Sequence, residues 1–288
     1  MGRMENKEIF RDTSRLAKNN PELSASVRNS AEKQIYIPET GAVEDYLPGL
    51  TKNKNRYKDK AEVILSGKRT FEAAESYKDM KTCVLNFASA TTPGGGVVNG
   101  SSAQEECLCR CSTLYFCLNT PELWGAYYTP NRVNANPIHT DDCIYTPEIT
   151  VFKKDIENPY VLSSDAWYNV NVISCAAPNL REKPANNMNP GDGDKPVEVT
   201  KEELQSIHEK RLRRILDIAV ADGNEVIILG AFGCGAFANS PAVVAEAAKN
   251  VIADYLNSFK VIEFAVYCTP RDMENYRVFS KTLKEYKK

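Results

Sequence analysis

The 288-residue chain has no apolar run approaching the ~18 residues of a membrane-spanning helix, and its opening, MGRMENKEIF, has no signal-peptide core. Asn6 stands where a myristoylation motif needs Ser or Thr. Charge of one sign is also missing: Lys and Arg total 36 against 38 Asp and Glu, net −2, with a pI near 5.9. That balance argues against bulk binding to nucleic acid or to an anionic membrane, both of which need a basic surplus. A cytoplasmic protein is expected. Histidine is scarce, with only His139 and His208. His208 lies in the charged stretch KEELQSIHEKRLRRIL and reads as a surface or boundary residue, and His139 lies in the turn-like NPIHT. Neither sits in a recognisable Ser-His-Asp or Cys-His constellation.

Cysteine is present but poorly arranged for special chemistry. Nine in 288 residues is an odd number and too sparse for a secreted disulfide scaffold. Cys107, Cys109 and Cys111 follow C-x-C-x-C, and Cys117 comes soon after. A zinc knuckle wants two to four intervening residues, so packed thiols are expected and no metal site. With 42% hydrophobic and 26% charged residues the chain has ordinary globular composition, and its length allows a sizeable core without staples. It shows no repeat, low-complexity tract or linker-like break. A single domain over 1–288 is expected, with 1–60 as an extension packed on it.

Residues 1–30 are polar and helix-permissive, and 33–37 read as a short strand before a lysine-rich connection over 41–60. From position 61 the order is regular. AEVILSG is a strand, TFEAAESY an amphipathic helix and KTCVLNFA a strand; the loop TTPGGGVVNGSS then opens AQEECLCRCSTLYFCL, read as one long helix. Ser102-x-x-Glu105 has the pattern of a capping box at its start. Residues 119–165 are irregular, with strand character around 143–153, and NVNVISCA is a strand followed by a Pro/Asn/Gly-rich excursion to Pro196. Thr200-x-x-Glu203 caps a helix ended by Gly223; EVIILG is a strand, Pro241 opens a helix to about Leu256, VIEFAVYC is the last strand, and a final helix starts near Asp272. Alternating strands and helices make this an α/β chain with a mostly parallel or mixed sheet.

Ligands of open α/β sheets sit in loops at strand carboxyl ends. Two such loops stand out: Pro93-Gly94-Gly95-Gly96 and Gly230-Ala231-Phe232-Gly233-Cys234-Gly235-Ala236-Phe237. Each leads toward a helix and can bring backbone N–H groups close to an anion, although a glycine turn alone is often only a turn. Neither is a P-loop or a G-x-G-x-x-G. Two of them suit a diphosphate held from both sides. After the first comes Gln104-Glu105-Glu106, whose adjacent carboxylates start about 100° apart on a helix and so are not the opposed pair of ordinary glycosidases.

Three glycines, seven residues and then Gln-Glu-Glu resemble the signature of the poly(ADP-ribose) glycohydrolases, and the surrounding text is similar to their bacterial-type branch. VLNFASATTPGGG, QEECLCRCSTLY, VISCAAPN and LGAFGCGAFAN occur in that order. The resemblance implies a macrodomain-like fold, a mixed sheet sandwiched between helices with ADP-ribose across its top, here with an N-terminal helical extension. It implies that Glu106 is the catalytic acid/base and that Glu105 holds the substrate ribose hydroxyls. Gln104 joins the substrate set. Gly94, Gly95 and Gly96, and Gly233, Cys234, Gly235, Ala236 and Phe237, match the two diphosphate loops, with Phe237 near the terminal ribose. Phe279 is a candidate for the adenine face, with core packing as its alternative. Ser89 stands where the animal-type enzymes have an asparagine. The implied reaction is hydrolysis of the ribose–ribose O-glycosidic bond of poly(ADP-ribose), or of ADP-ribose on protein, releasing ADP-ribose without cofactor or metal. Glu106 is expected to have its pKa raised by burial against apolar neighbours such as Phe237. A non-catalytic ADP-ribose reader and a mono-ADP-ribose hydrolase are the alternatives.

Overall fold

The computed structural model describes residues 2–186 and 190–286; residues 187–189, within the excursion before Pro196, lie outside them. Seven strands form one mixed sheet: β1 (Ile35–Ile37), β2 (Glu62–Ser66), β3 (Thr82–Phe87), β4 (Cys143–Val151), β5 (Tyr168–Cys175), β6 (Val226–Leu229) and β7 (Val261–Ala265). Their order is β1-β4-β5-β3-β6-β7-β2. β5, β3, β6, β7 and β2 run parallel, while β4 pairs antiparallel with β5 and β1. The centre of the sheet is covered on both faces, which is why β3 and β6 read as continuous apolar runs rather than alternating ones.

The helices that matter for the two faces of the sheet are α1 (Arg3–Asn19), α2 (Pro21–Lys33), α3 (Thr70–Ala74), α4 (Gln104–Cys111), α5 (Lys201–Ala221), α6 (Pro241–Ile252) and α7 (Glu274–Thr282). α5, α6 and α7 contribute Ile215, Leu216, Val244, Val251 and Phe279 to a core on one face. On the other face, Phe10 of α1, Phe71 of α3 and Leu108 of α4 pack with Val84, Val172 and Ile228 of the sheet. This is the macrodomain-like sandwich that the resemblance implied. α1 lies against α4, with Thr13 Oγ1 donating to Arg110 O at 2.6 Å. The 41–60 connection contains two single-turn helices, Val43–Tyr46 and Leu50–Asn53.

Three local expectations differ from what forms. The capping box at Thr200 is present, but the one at Ser102 is not: Ala103 is the N-cap of α4 and no side chain caps it. Glu105 does not turn back to Ser102 because its carboxyl is held by Asn86 and Ser89. The long cysteine-bearing helix is also broken. Ser112 is extended, and Thr113 exchanges hydrogen bonds with Thr150 (Thr113 N–H to Thr150 O, Thr150 N–H to Thr113 Oγ1, both 3.0 Å), before a short helix resumes at Leu114–Leu118. Pairing with β4 takes the place of continued helix. His208 is buried, not at the surface: its ring packs edge-on against Phe232 and its Nε2 lies 2.8 Å from Asn239 Oδ1.

Candidate active site

Five parallel strands place their carboxyl ends on one rim. The loops that follow line a cleft of about 850 Å³ whose walls include Arg69, Ser89, Gly95, Gly96, Glu106 and Phe237. Gln104 fixes the start of α4 on this rim. Its Nε2 donates to Leu85 O at 2.7 Å and to Thr70 Oγ1 at 3.0 Å, and its Oε1 accepts from Phe87 N–H at 2.9 Å. The amide thus ties α4 to the end of β3 and the start of α3.

That clamp sets both glutamates. Glu105 is 3% exposed and Glu106 7%. Glu105 accepts from Asn86 Nδ2 at 3.2 Å through Oε1 and from Ser89 N–H at 2.8 Å through Oε2. Glu106 Oε1 accepts from Gly96 N–H at 2.8 Å, and its Oε2 is buried without a hydrogen-bond partner among the described residues. The two carboxyls converge on Gly95. A Cβ there would meet Glu106 Oε1 at 2.6 Å and Glu105 Oε2 at 3.1 Å, and its φ is +56°, so only glycine admits the approach. Burial raises both pKa values. Glu105 is pushed up to about 8, by desolvation first and then by the charge of Glu106. Glu106 is raised by desolvation against the pull of Gly96 N–H and the Arg110 guanidinium.

The second glycine loop enters the cleft through Gly233, Gly235, Ala236 and Phe237. Gly233 has φ +78°, and a Cβ there would lie 2.7 Å from Ala177 Cβ. Asn239 closes the loop by donating through Nδ2 to Gly233 O and Phe237 O, both at 3.1 Å, and to Pro178 O at 2.6 Å. Since the amide nitrogen is the donor, Asn239 Oδ1 is the acceptor and His208 Nε2 carries the proton. Burial lowers the His208 pKa to about 4, which keeps the ring neutral.

Residues 6–154 match the family model described as microbial-type PARG, catalytic domain, PARG being poly(ADP-ribose) glycohydrolase. The chain belongs to this family. Among solved structures it is similar to the poly(ADP-ribose) glycohydrolase of Deinococcus radiodurans in complex with ADP-ribose, at 28% identity and TM-score 0.73 over 90% of this chain and 97% of that one. The glycohydrolase of Thermomonospora curvata is 24% identical with TM-score 0.77 over 96% of this chain and 98% of that one, a likeness of fold. No curated protein sequence matches the chain.

Against the expectations for this glycohydrolase family, the structure brings Glu105, Glu106, Gln104, Ser89, Gly95, Gly96, Gly233, Gly235, Ala236 and Phe237 to one cleft. Three others do not line the cleft. Gly94 N–H hydrogen-bonds Glu105, and its Cα lies where an added Cβ would meet Tyr115 at 2.7 Å. Cys234 turns inward, with Sγ 3.8 Å from Phe232 O. Phe279 is a correction. It is fully buried, its ring 5.9 Å from that of Phe264, because α7 presents it to the sheet. The exposed aromatic on the rim is Tyr267, just after β7, with the Arg69 guanidinium 4.3 Å over its ring.

Sequence reasoning missed Asn86, Asp155 and Tyr267. Asn86 carried a signal, as a polar side chain inside the buried run VLNF. Asp155 carried none. It is 4% exposed on the cleft wall, accepts from Phe71 N–H at 3.2 Å, and leaves Oδ1 without a partner among the described residues. Burial pushes it up to about 6. Ser89, the departure from the animal-type pattern, serves through its backbone N–H, while its Oγ accepts from Thr92 N–H at 3.1 Å. Of the cysteines on α4, Cys109 and Cys111 are fully buried, and Cys107 Sγ lies 3.2 Å from Arg110 and 3.4 Å from Arg69.

Proposed function

We propose that the cleft binds the terminal ADP-ribose of a poly(ADP-ribose) chain and that Glu106 is the acid/base that hydrolyses the ribose–ribose O-glycosidic bond, releasing ADP-ribose. The observation that carries this is the Glu106 carboxyl itself: one oxygen anchored on Gly96 N–H, the other buried without a partner among the described residues, on a wall between two glycine loops. An unpartnered buried oxygen is costly unless a ligand completes it, and a protonated one completes it by donating.

Two buried carboxyls this close share protons as a pair; burial raises both, Glu105 to about 8, so the pair holds a proton near neutral pH. Donors decide where the proton sits. Glu105 is met by an N–H at each oxygen, the pattern of a carboxylate, whereas Glu106 Oε2 is met by none among the described residues. Protonated Glu106 gives its proton to the leaving ribose oxygen as the bond from the anomeric carbon breaks and an oxocarbenium-like centre forms. Water then adds to that carbon and returns a proton to Glu106. One water is consumed and the acid is regenerated. Glu105 keeps lone pairs for the substrate ribose hydroxyls.

The backbone of Gly233–Phe237 cradles the diphosphate, while the Gly95 and Gly96 N–H groups of the first loop are already given to Thr92 O and Glu106 Oε1, and Phe237 lies beside the terminal ribose. Tyr267 replaces Phe279 as the adenine platform: a planar ring on the rim with a guanidinium at its face suits a purine, and Asp155 Oδ1, without a partner among the described residues, offers an acceptor to an exocyclic amine. The chain works as one catalytic domain over 1–288 in the cytoplasm; no helix among the described residues is long and apolar enough to cross a membrane.

The test is incubation with labelled poly(ADP-ribose) and, separately, with mono-ADP-ribosylated protein. Monomeric ADP-ribose released from the polymer is the expected result. Binding without release would make the chain a reader, and release from the mono-modified protein alone would move its substrate.

A further inference from the structure

Beyond the two glycine loops, the cleft has two flanks. One carries Arg69, Tyr267 and Asp155, the surroundings argued above for adenine. The other is built by the first turn of α1 and the segment after the glycines: Arg3, Asn6, Gly100, Ser101 and Arg110. One ADP-ribose has a single nucleoside end, so the first flank leaves the second without a role.

This second flank is coupled to the acid. Gly96 N–H donates to Glu106 Oε1 at 2.8 Å, and Ser101 N–H donates to Gly96 O at 3.1 Å. Arg110 donates to Ser101 O, and Asn6 Nδ2 donates to Gly100 O at 3.0 Å. Arg3 lies so close that a Cβ on Gly100 would sit 2.2 Å from Arg3 O. The start of α1 is therefore seated on the same loop that orients Glu106.

Polar atoms on this wall await partners. Asn6 and Arg110 are each 2% exposed, yet Asn6 Oδ1 and Arg110 Nε have no hydrogen-bond partner among the described residues, nor does Glu106 Oε2 beside them. Arg3 is exposed and makes no ion pair among the described residues. An unmatched acceptor and donor and an exposed cation thus line the same cleft as the proton donor, and native walls rarely leave buried polar atoms unmatched.

We infer that this wall is the subsite for the leaving ADP-ribosyl unit of the polymer, with Asn6 and Arg110 taking hydroxyls of the ribose whose oxygen departs and Arg3 facing that unit's diphosphate. The inference rests on the function proposed above and deepens it. The proton from Glu106 passes to that ribose oxygen, and the departing unit leaves with a free hydroxyl. A phosphate-bearing leaving group matches the cation at the mouth; a bare protein side chain does not use it.

Two substrates separate the subsite from the reaction: poly(ADP-ribose), and ADP-ribose joined through the same ribose carbon to a small phenol, which lacks a leaving-side diphosphate. The readout is the ratio of kcat/KM for polymer over phenol conjugate. Arg3→Glu should lower that ratio roughly fivefold or more, Arg3→Gln less, and the difference should shrink at high salt. A ratio equal to that of wild type in both variants would overturn the subsite while leaving the glycohydrolase reading intact. Wild type that cleaves the conjugate but not the polymer would overturn it too. Wild type that cleaves neither would remove the function, and the subsite with it.

Discussion

At the scale of single residues the site depends on two neighbouring buried carboxyls that hold a proton between them. Glu105 has a folded pKa of about 8 against its ordinary 4.5, so between those values the folded chain keeps a proton that the unfolded chain releases. The folded state then binds more protons, and stability falls as pH rises through that window. Glu105→Gln abolishes the titration. Whatever offset the amide imposes, its Tm relative to wild type should climb by on the order of a few degrees from about pH 5 to about pH 8; a flat difference in thermal melts would contradict this. Activity has the same direction. Because burial raises the acid Glu106 as well and the pair shares the proton that is transferred, kcat/KM should fall as rising pH strips that proton. A rate that keeps rising with pH would refute an acid role.

At the scale of elements, the loops are placed by side chains from their neighbours. Asn239, set by His208 of α5, holds the carbonyls of Gly233 and Phe237. Asn239→Ala removes the three donations that hold the second glycine loop and should weaken ADP-ribose binding by about tenfold, with a stability loss of about 1–3 kcal/mol measured by denaturant melts. Affinity equal to wild type would show that the loop holds its shape without Asn239. The sequence already marked both glycine loops, the Gln-Glu-Glu triplet and the strand–helix order, because these follow from local chemistry: glycine where backbones approach, apolar runs between breakers. Long-range partners were not legible. Ser102-x-x-Glu105 has the pattern of a capping box, but Asn86 and Ser89 compete for Glu105. LCRCSTLYFCL reads as continuous helix until β4 supplies Thr150 as a partner for Thr113. Phe279 and Tyr267 are both aromatics near the last strand, and only the packing of α7 on Phe264 decides that one is core and the other rim.

At the scale of the whole molecule, buried ion pairs join the sheet rim to the outer helices. Arg211 of α5 is 1% exposed on its side chain and donates to Asp141 at 2.8 Å, to Ala176 O and Ile138 O at 2.7 Å, and to His139 O at 2.9 Å. It thereby links α5, the end of β5 and the turn before β4. Arg211→Met leaves Asp141 and three carbonyls without that guanidinium and should cost about 3–5 kcal/mol, seen as a lower denaturant midpoint. A midpoint equal to that of wild type would show that Lys210, 2.5 Å from Asp141, suffices.

The proposed hydrolysis depends on Glu106 donating a proton rather than only binding substrate. The most direct test measures ADP-ribose affinity and turnover of poly(ADP-ribose) in the same preparation of Glu106→Gln. The amide keeps the shape and can still accept from Gly96 N–H, so affinity should stay within about twofold, while kcat falls by about 10²–10⁴. Turnover close to that of wild type would contradict the assignment of the acid and, with it, the mechanism.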